Sequence, residues 1–204
     1  MTQDSFSAYL RSAYPQTVTL RDGTTVAIRP LLADDREEIC NFFERVPEDD
    51  RAFLKEDVID RREVEAWLDM LDPNTETVIV AEAADRIAGT AILRRVAHGW
   101  SRHVGEIRIV ADPDTRRQGL GHVLAETIFG LAVRLGLEKM TAQMMAEQKG
   151  AIRVFELLGF RKEASLRNHV RDRYGNKHDL VVMANDLETT AAADPDVAFV
   201  PNPR

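Results

Sequence analysis

The stretch from residue 104 to residue 136 constrains the fold of this chain most strongly. It reads VGEIRIVA, then DPDTRRQGLG, then HVLAETIFGLAVRLG. The first run predicts a strand, and the last predicts a helix closed by Gly136 in a left-handed conformation. Glycines that lead into a helix expose backbone N–H groups at the positive end of its dipole, so we expect this turn to bind a phosphate. A plain glycine-rich loop is the alternative, and the letters GLG alone would favour it.

The other elements follow from hydrophobic periodicity and turn residues. Helices are expected over residues 5–14, 31–46, 61–71, 118–135 and 149–158, with a further helical region opening at Pro47. Strands are expected within residues 17–29, 77–97, 104–111, 138–145, 160–172 and 177–187. This order predicts an α/β (α+β) domain with a mixed, mostly antiparallel twisted sheet of about seven strands flanked by helices.

The length of 204 residues fits one domain with a real core. We expect a docking helix or extension over residues 1–16, the domain itself over 17–187, and a flexible tail over 188–204. A single cysteine, Cys40, excludes an intrachain disulfide and fits a cytoplasmic protein. The lack of a long apolar run argues against a membrane partner, and a net charge of -7 argues against nucleic acid.

Acidic residues are concentrated between Ala33 and Asp72, where fifteen Asp or Glu accompany six Arg or Lys. Solvated helix faces usually account for such a segment. The alternative is an acidic mouth that attracts a cation. The five histidines lack partners at metal-ligand spacing, so no metal is expected.

Three nucleotide-binding patterns compete for the glycine turn. A Walker loop needs Gly-x-x-x-x-Gly-Lys-Ser/Thr, which the chain lacks, and a dinucleotide fingerprint needs a third glycine where Leu124 stands. The third pattern, Gln/Arg-x-x-Gly-x-Gly/Ala, is matched by Arg116-x-x-Gly119-x-Gly121. In this turn the chain resembles the GNAT superfamily, the acetyl-CoA-dependent N-acetyltransferases.

A second motif carries the same resemblance. GAIRVFELLGF at residues 150–160 is similar to the family's xAIxLYExLGF helix, and the expected strand–helix order matches over about residues 18–187. The segments DGTTVAIRPLLADDREEICNFFERV and GEIRIVADPDTRRQGLG look like the GNAT domain of bacterial protein lysine acetyltransferases. Pairing of sheet edges in this fold makes a homodimer a further expectation.

The resemblance implies an N-acetyltransferase (EC 2.3.1 class) that moves acetyl from acetyl-CoA to a primary amine by direct attack. Backbone N–H groups from Arg117 to His122 would hold the pyrophosphate, and an N–H near Val110 would stabilise the oxyanion. The implied cofactor-binding residues are Ile109, Val110, Ala111, Arg116, Arg117, Gln118, Gly119, Leu120, Gly121, His122, Gln148 and Phe155.

A base must deprotonate the amine, because alkylamines have a pKa near ~10. Glu106 stands on the strand before the glycine turn, where similar enzymes carry their glutamate, and is the expected base. The alternative is that Glu106 faces solvent or pairs with Arg108 or Arg95. Glu82 and Glu147 are reserve candidates.

One residue departs from the family pattern. Many relatives carry a tyrosine in the second motif that protonates the departing thiolate, whereas this chain has Phe155. Tyr174, in the last hairpin turn, is the other candidate for this proton donor. The acceptor is expected to be a cationic amine, either a small molecule or a protein lysine. A non-catalytic acetyl-CoA sensor is the alternative function, and a CoA-independent scaffold is a third.

Overall fold

A computed structural model describes residues 2–47, 60–115, 117–172 and 174–187 of the chain. Its strands are β1 (Gln16–Thr19), β2 (Thr25–Pro30), β3 (Glu76–Ala83), β4 (Arg86–Arg95), β5 (Val104–Ala111), β6 (Lys139–Met145), β7 (Arg161–Arg171) and β8 (Lys177–Asp186). Its helices are α1 (Gln3–Ala13), α2 (Arg36–Arg45), α3 (Arg61–Asp69), α4 (Leu120–Arg134) and α5 (Lys149–Leu157), with 3₁₀ turns at Ala33–Asp35 and Pro113–Thr115.

All eight strands join one sheet in the order β1-β2-β3-β4-β5-β6-β8-β7. Every neighbouring pair is antiparallel except β5 and β6, which run parallel. The mixed, mostly antiparallel sheet expected from the sequence is confirmed, with one strand more than the seven expected. The parallel pair requires a crossover between its strands, and α4 provides it.

Two helices begin later than the periodicity predicts. The region expected as a helix over 31–46 opens with a 3₁₀ turn, because the carboxylate of Asp35 accepts the N–H of Leu32 at 2.7 Å and pairs with Arg29. The helix expected from residue 118 begins at Leu120, because Gly119 has φ of 94° and Arg117 has φ of 63°. A left-handed residue cannot continue an α-helix.

Glycines follow two of the helices in the left-handed conformation that glycine favours. Gly136 and Gly159 follow α4 and α5 with φ of 75° and 83°. Ala84 and Asp85 both have positive φ, 49° and 60°, and close the β3–β4 hairpin in the twist that two-residue hairpins prefer. At the ends of α4 and α5, the glycine in the local sequence therefore provides the conformation that stops the helix.

Helices cover both faces of the sheet. On one face, α1, α4 and α5 pack against it around buried residues that include Phe6, Leu124 and Phe155. On the other face, α2 and α3 enclose a smaller cluster that includes Phe42 and Val64. We call these the α4 face and the α2 face. A Cβ added at Gly89 of β4 would lie 3.0 Å from a methyl carbon of Leu124, so the glycine lets α4 approach the sheet closely.

The first helix, α1, packs on the α4 face of the sheet. Phe6 is 1% exposed within the α4-face core, and the Arg134 guanidinium lies 3.9 Å from the centre of the Tyr9 ring. The helical region expected from Pro47 and the expected tail at 188–204 lie outside the described residues. Among the residues described, each helix is too short or too polar to cross a bilayer.

Candidate active site

The sheet opens between its two parallel strands. β5 and β6 pair only from Val104 opposite Lys139 to Glu106 opposite Thr141. Beyond this point β5 continues to Ala111 paired with β4, and β6 continues to Met145 paired with β8. The last five residues of β5 therefore have one edge that no described strand covers.

The β4–β5 register identifies which backbone groups face the gap. The N–H of Asp112 donates to the carbonyl of Ala88 at 2.8 Å, toward β4. Because alternate residues of a strand point their backbone groups to the same side, Val110 also faces β4, whereas Ile107, Ile109 and Ala111 face the gap. The N–H of Val110 therefore points into the sheet, whereas the N–H groups of its neighbours Ile109 and Ala111 point into the gap.

A cavity of about 430 Å³ passes through this gap and joins the two faces of the sheet. Its walls on the α4 face include Ile107, Ile109 and Phe155, and those on the α2 face include Phe43 and Trp67. The expected cofactor residues Ile109, Val110, Gln148 and Phe155 all line it. A molecule that lies in the gap thus reaches a compartment on the α2 face.

The glycine turn lies at the wide end of the gap, directly after β5. It is attached to the β1–β2 hairpin, because the N–H of Arg21 donates to the carbonyl of Gln118 at 3.1 Å. Gly119 caps α4, and the N–H groups of the first helical turn point out of its positive end. Arg117 is exposed at this turn, while Arg116 lies outside the described residues.

The two glycines of the turn have different roles. Gly119 needs its left-handed φ of 94°, whereas a Cβ added at Gly121 would meet no atom within 4 Å. Gly121 therefore leaves open space beside the N-terminus of α4. Leu120 between them points inward and is fully buried in the α4-face core, so its contribution to a ligand is restricted to its backbone.

His122 is engaged by its own helix. Its N–H donates to the carbonyl of Gly119 at 3.0 Å, so that N–H, which was expected to contact the pyrophosphate, already has an acceptor. Its Nε2 lies 3.0 Å from Oε1 of Glu126, and burial raises the pKa of the Glu126 carboxyl. The imidazole, 39% exposed as a side chain, thus stands at the start of α4 with a carboxyl behind it.

Gln148 and Phe155 shape the α5 end of the cavity. Oε1 of Gln148 accepts the N–H of Met145 at 2.8 Å, which fixes the side chain across the end of β6. The Phe155 ring packs edge-on against Phe160, with ring centres 5.0 Å apart. Phe155 therefore serves the packing of the cavity wall, and a phenyl ring has no proton to donate.

Glu106 forms the ion pair that the sequence left as an alternative. Its Oε1 lies 3.2 Å from Nε of Arg108, and its side chain is 21% exposed. The residues that follow it, Ile107 and Arg108, line the cavity. Glu106 itself lies at the closed end of the gap, beside the last β5–β6 pair.

The reserve candidates are held elsewhere. Glu82 pairs with Arg29 at 2.7 Å. Glu147 accepts from Nδ1 of His178 at 3.1 Å, and this hydrogen bond lowers the pKa of the glutamate. Tyr174 is 61% exposed in the β7–β8 turn and is not among the residues that line the cavity.

Several cavity residues were not identified from the sequence as parts of a site. Among them are Trp67 of α3, Thr90 of β4 and Arg171 of β7, none of which belongs to either motif. They come from three elements far apart in the sequence and share no motif. Within the part of the chain that the structure describes, no group of three or more His, Cys, Asp or Glu side chains is placed to bind a metal.

Comparison with known protein families shows which family has this architecture. The family model described as Acetyltransferase (GNAT) family matches residues 36–160, from α2 to the end of the second motif. The chain belongs to the GNAT acetyltransferase family. Within this GNAT chain, the matched range includes β5, the glycine turn, α4 and the gap, so the resemblance seen in the two motifs is confirmed.

Curated relatives match part of the chain. Ribosomal protein bS18-alanine N-acetyltransferase of Escherichia coli K12 is 33% identical over 76 residues, which is 37% of this chain and 51% of that protein. The chain thus spans about half the length of the curated relatives it matches.

Solved structures show the same fold. The GNAT domain of S. lividans PAT superposes with a TM-score of 0.70 at 19% identity, over 84% of this chain and 96% of that chain. The yncA protein of Salmonella typhimurium, solved with its cofactor acetyl-CoA, gives a TM-score of 0.68 at 21% identity, over 87% and 98%.

Proposed function

We propose that this GNAT chain transfers the acetyl group of acetyl-CoA directly to a primary amine. The observation that carries the proposal is the gap between β5 and β6, through which one cavity joins the two faces of the sheet. A thioester that enters from one face and an amine that enters from the other would meet at the gap, and this geometry favours direct transfer.

The residues at the gap fit an acyl-CoA. The backbone groups of Ile107, Ile109 and Ala111 face the opening and would pair with the amides of the pantetheine arm. The first turn of α4, with Gly119 and Gly121, would hold the pyrophosphate, and Arg117 would add positive charge beside it. The same backbone edge would place an N–H near the thioester carbonyl, where negative charge develops.

We propose Glu106 as the base. The amine arrives protonated, since alkylamines have a pKa near ~10, and must lose a proton before it attacks. Glu106 lies beside cavity residues but not in the cavity wall, so the proton would leave through an intervening water. The ion pair with Arg108 would hold the carboxylate in one orientation at the closed end of the gap.

No general acid is required for the leaving group. Acetyl-CoA supplies an activated acyl group whose departing thiol has a pKa near ~8.5, so the thiolate leaves readily and takes a proton from water. A reaction without a general acid agrees with Phe155, which cannot donate a proton, in the part of the cavity wall formed by α5. Any role of Tyr174 as an acid would require a large movement of an exposed turn.

The expected cationic acceptor receives little support from the charges of the α2 face. Several described carboxylates of the acidic segment pair with arginines, among them Asp35 with Arg29, Glu38 with Arg45, and Asp69 with Arg36. One relative is named for the alanine of a ribosomal protein, so an α-amine is an acceptor worth testing beside lysine. A cytoplasmic location and a homodimer stay predictions.

Binding and turnover together test the proposal. Acetyl-CoA would be titrated by calorimetry into the wild type, and CoA release would then be followed with a panel of amino acids, lysine peptides and polyamines. Binding with release in the presence of one amine class is the expected result. Binding without release for every amine would support the sensor instead, and no binding would overturn both.

A further inference from the structure

We propose that Arg21, at the tip of the β1–β2 hairpin, binds a phosphate group of acetyl-CoA beside the glycine turn. This inference rests on the proposed function and deepens it, because it adds to the cofactor site a residue that neither sequence motif contains. Its basis is the contact between the hairpin tip and the residues that lead into α4.

The hairpin tip is held in one conformation by its own hydrogen bonds. The N–H of Leu20 donates to the carbonyl of Thr24 at 2.8 Å, and the N–H of Gly23 donates to the carbonyl of Leu20 at 3.0 Å. The carboxylate of Asp22 accepts the N–H of Thr24 at 2.9 Å. Leu20 is also buried in the α4-face core. The backbone of Arg21, within this turn, is therefore fixed before any ligand binds.

The tip is docked on the glycine turn at the start of α4. The N–H of Arg21 donates to the carbonyl of Gln118 at 3.1 Å. Nε of Arg21 lies 3.9 Å from the position that a Cβ on Gly119 would occupy. The main chain and the guanidinium of Arg21 thus both lie against the residues that precede the helix. Arg21 is exposed, so a ligand can reach it from solvent.

Positive charge converges on the start of α4 from three sources. The N–H groups of the first helical turn form the positive end of the helix dipole. Arg117, with φ of 63°, is exposed directly before Gln118. Arg21 brings a further guanidinium from the hairpin. Like charges repel at short range, and an anion between them would turn this repulsion into attraction.

The space beside these groups fits a phosphate. A Cβ added at Gly121 would meet no atom within 4 Å, so a ligand can approach the helix there, with Arg21 on the side of Gly119. A guanidinium binds phosphate oxygens through paired N–H groups, and the fixed backbone lowers the cost of ordering it. Acetyl-CoA carries a pyrophosphate and a 3′-phosphate, and either presents this chemistry to Arg21.

Calorimetry with acetyl-CoA tests the inference. Arg21→Gln should raise the Kd about tenfold, as expected when a hydrogen bond between charged groups is lost at an exposed site. Arg21→Lys should recover only part of this loss, because an ammonium group lacks the guanidinium fork.

Arg11→Gln is the matched control. Arg11 is an exposed arginine in the last turn of α1, and Tyr9 of that helix packs on Arg134 at the opposite end of α4 from the glycine turn. The control removes the same charge and should leave the Kd within about twofold of the wild-type value. An equal loss of affinity in Arg11→Gln and Arg21→Gln would overturn the inference, as would wild-type affinity in Arg21→Gln.

CoA and dephospho-CoA identify which phosphate is bound. A loss of affinity in Arg21→Gln that is equal for both ligands would assign Arg21 to the pyrophosphate. A loss confined to CoA would assign it to the 3′-phosphate. Either result supports the inference.

A second variant keeps the test decisive if Arg21→Gln does not fold, which a melting curve without ligand would show. Arg21→Glu places a repelling charge beside the phosphate and should weaken acetyl-CoA binding more than tenfold, on the order of 100-fold. Wild-type affinity in Arg21→Glu would overturn the inference while leaving the proposed function intact. Failure of acetyl-CoA to bind the wild type would overturn the proposed function, and this inference with it.

Discussion

Glu106 and Arg108 lie two residues apart on the same face of β5, and Nε and Nη2 of Arg108 both lie 3.2 Å from Oε1 of Glu106. The pair stands where β5 begins to separate from β6. A carboxylate held by a neighbour on its own strand keeps its position whether or not the cavity is filled, which suits the role of base proposed for Glu106.

The first prediction removes this carboxylate. Glu106→Gln keeps the shape and loses the base, so kcat should fall on the order of 100-fold while acetyl-CoA binding stays within about twofold. Thiol release and calorimetry measure the two quantities. Glu163→Gln on exposed β7 is the control. A kcat for Glu106→Gln within about threefold of the wild-type value would mean that Glu106 is not the base.

The second prediction concerns the glycine turn. A side chain at Gly121 meets open space, so Gly121→Glu should fold normally yet place a negative charge where the pyrophosphate is expected. Acetyl-CoA binding should weaken at least ~100-fold, or about 2.7 kcal/mol.

Gly130 provides the matched control for that experiment. It lies on the same helix, and a Cβ there also meets no atom within 4 Å. Gly130→Glu should therefore bind acetyl-CoA as the wild type does. Equal binding by the two variants, measured by calorimetry, would mean that the start of α4 holds no phosphate.

The third prediction is a pH dependence of stability. His178 bridges two carboxylates, with Nε2 3.1 Å from Asp172 and Nδ1 3.1 Å from Glu147. The hydrogen bonds to Asp172 and Glu147 raise the pKa of His178. Hydrogen bonds from Asn176 and His178 hold the pKa of Asp172 at about 2.

A raised histidine pKa stabilises the fold below its unfolded value of about 6.5, and this contribution disappears as the pH rises through the folded pKa. The lowered pKa values of the Asp172 and Glu147 carboxyls stabilise the fold above about pH 4, and this contribution to stability is lost as the pH falls further. The melting temperature of the wild type should therefore exceed that of His178→Gln most near about pH 5.5, and less near about pH 8.5. His98→Gln, at an exposed loop residue, should show no such trend.

The fourth prediction concerns the cavity wall. Phe155 is 6% exposed and packs on Phe160, so Phe155→Ala should lower the free energy of unfolding by about 3 kcal/mol. Leu157→Ala on the same helix, at a residue 65% exposed, should change it by less than about 0.5 kcal/mol. Urea unfolding measures both. Similar losses for the two variants would show that Phe155 is not part of the packed core.

The elements with local signals could be predicted from the sequence. Gly136 and Gly159 end their helices because glycine adopts positive φ without steric cost, and that property is visible in the residue alone. The glycine turn and its position before α4 followed from the same reasoning. Asp35 shows the limit of local reasoning, because its ion pair with Arg29 of the preceding strand delays the start of α2.

The cavity depends on relationships that sequence spacing does not contain. Trp67, Thr90 and Arg171 line the same cavity only because α3, β4 and β7 take their places around the gap. The sequence predicted an oxyanion donor near Val110 without saying which N–H, and the pairing of β5 with β4 turns the N–H of Val110 itself into the sheet. Strand register decides which backbone groups of β5 point into the gap. Register depends on the pairing of two strands and cannot be read from one strand alone.

The early end of the β5–β6 pairing also affects how freely this strand can change in evolution. If Ile107, Ile109 and Ala111 meet a ligand through main-chain atoms, then any residue that packs equally well would preserve the contact. Selection on substitutions along this edge would then act on how well the side chain packs in the core, and not on whether it can bind the ligand. Two proteins with this strand arrangement would then bind the same ligand while carrying different side chains at all three positions.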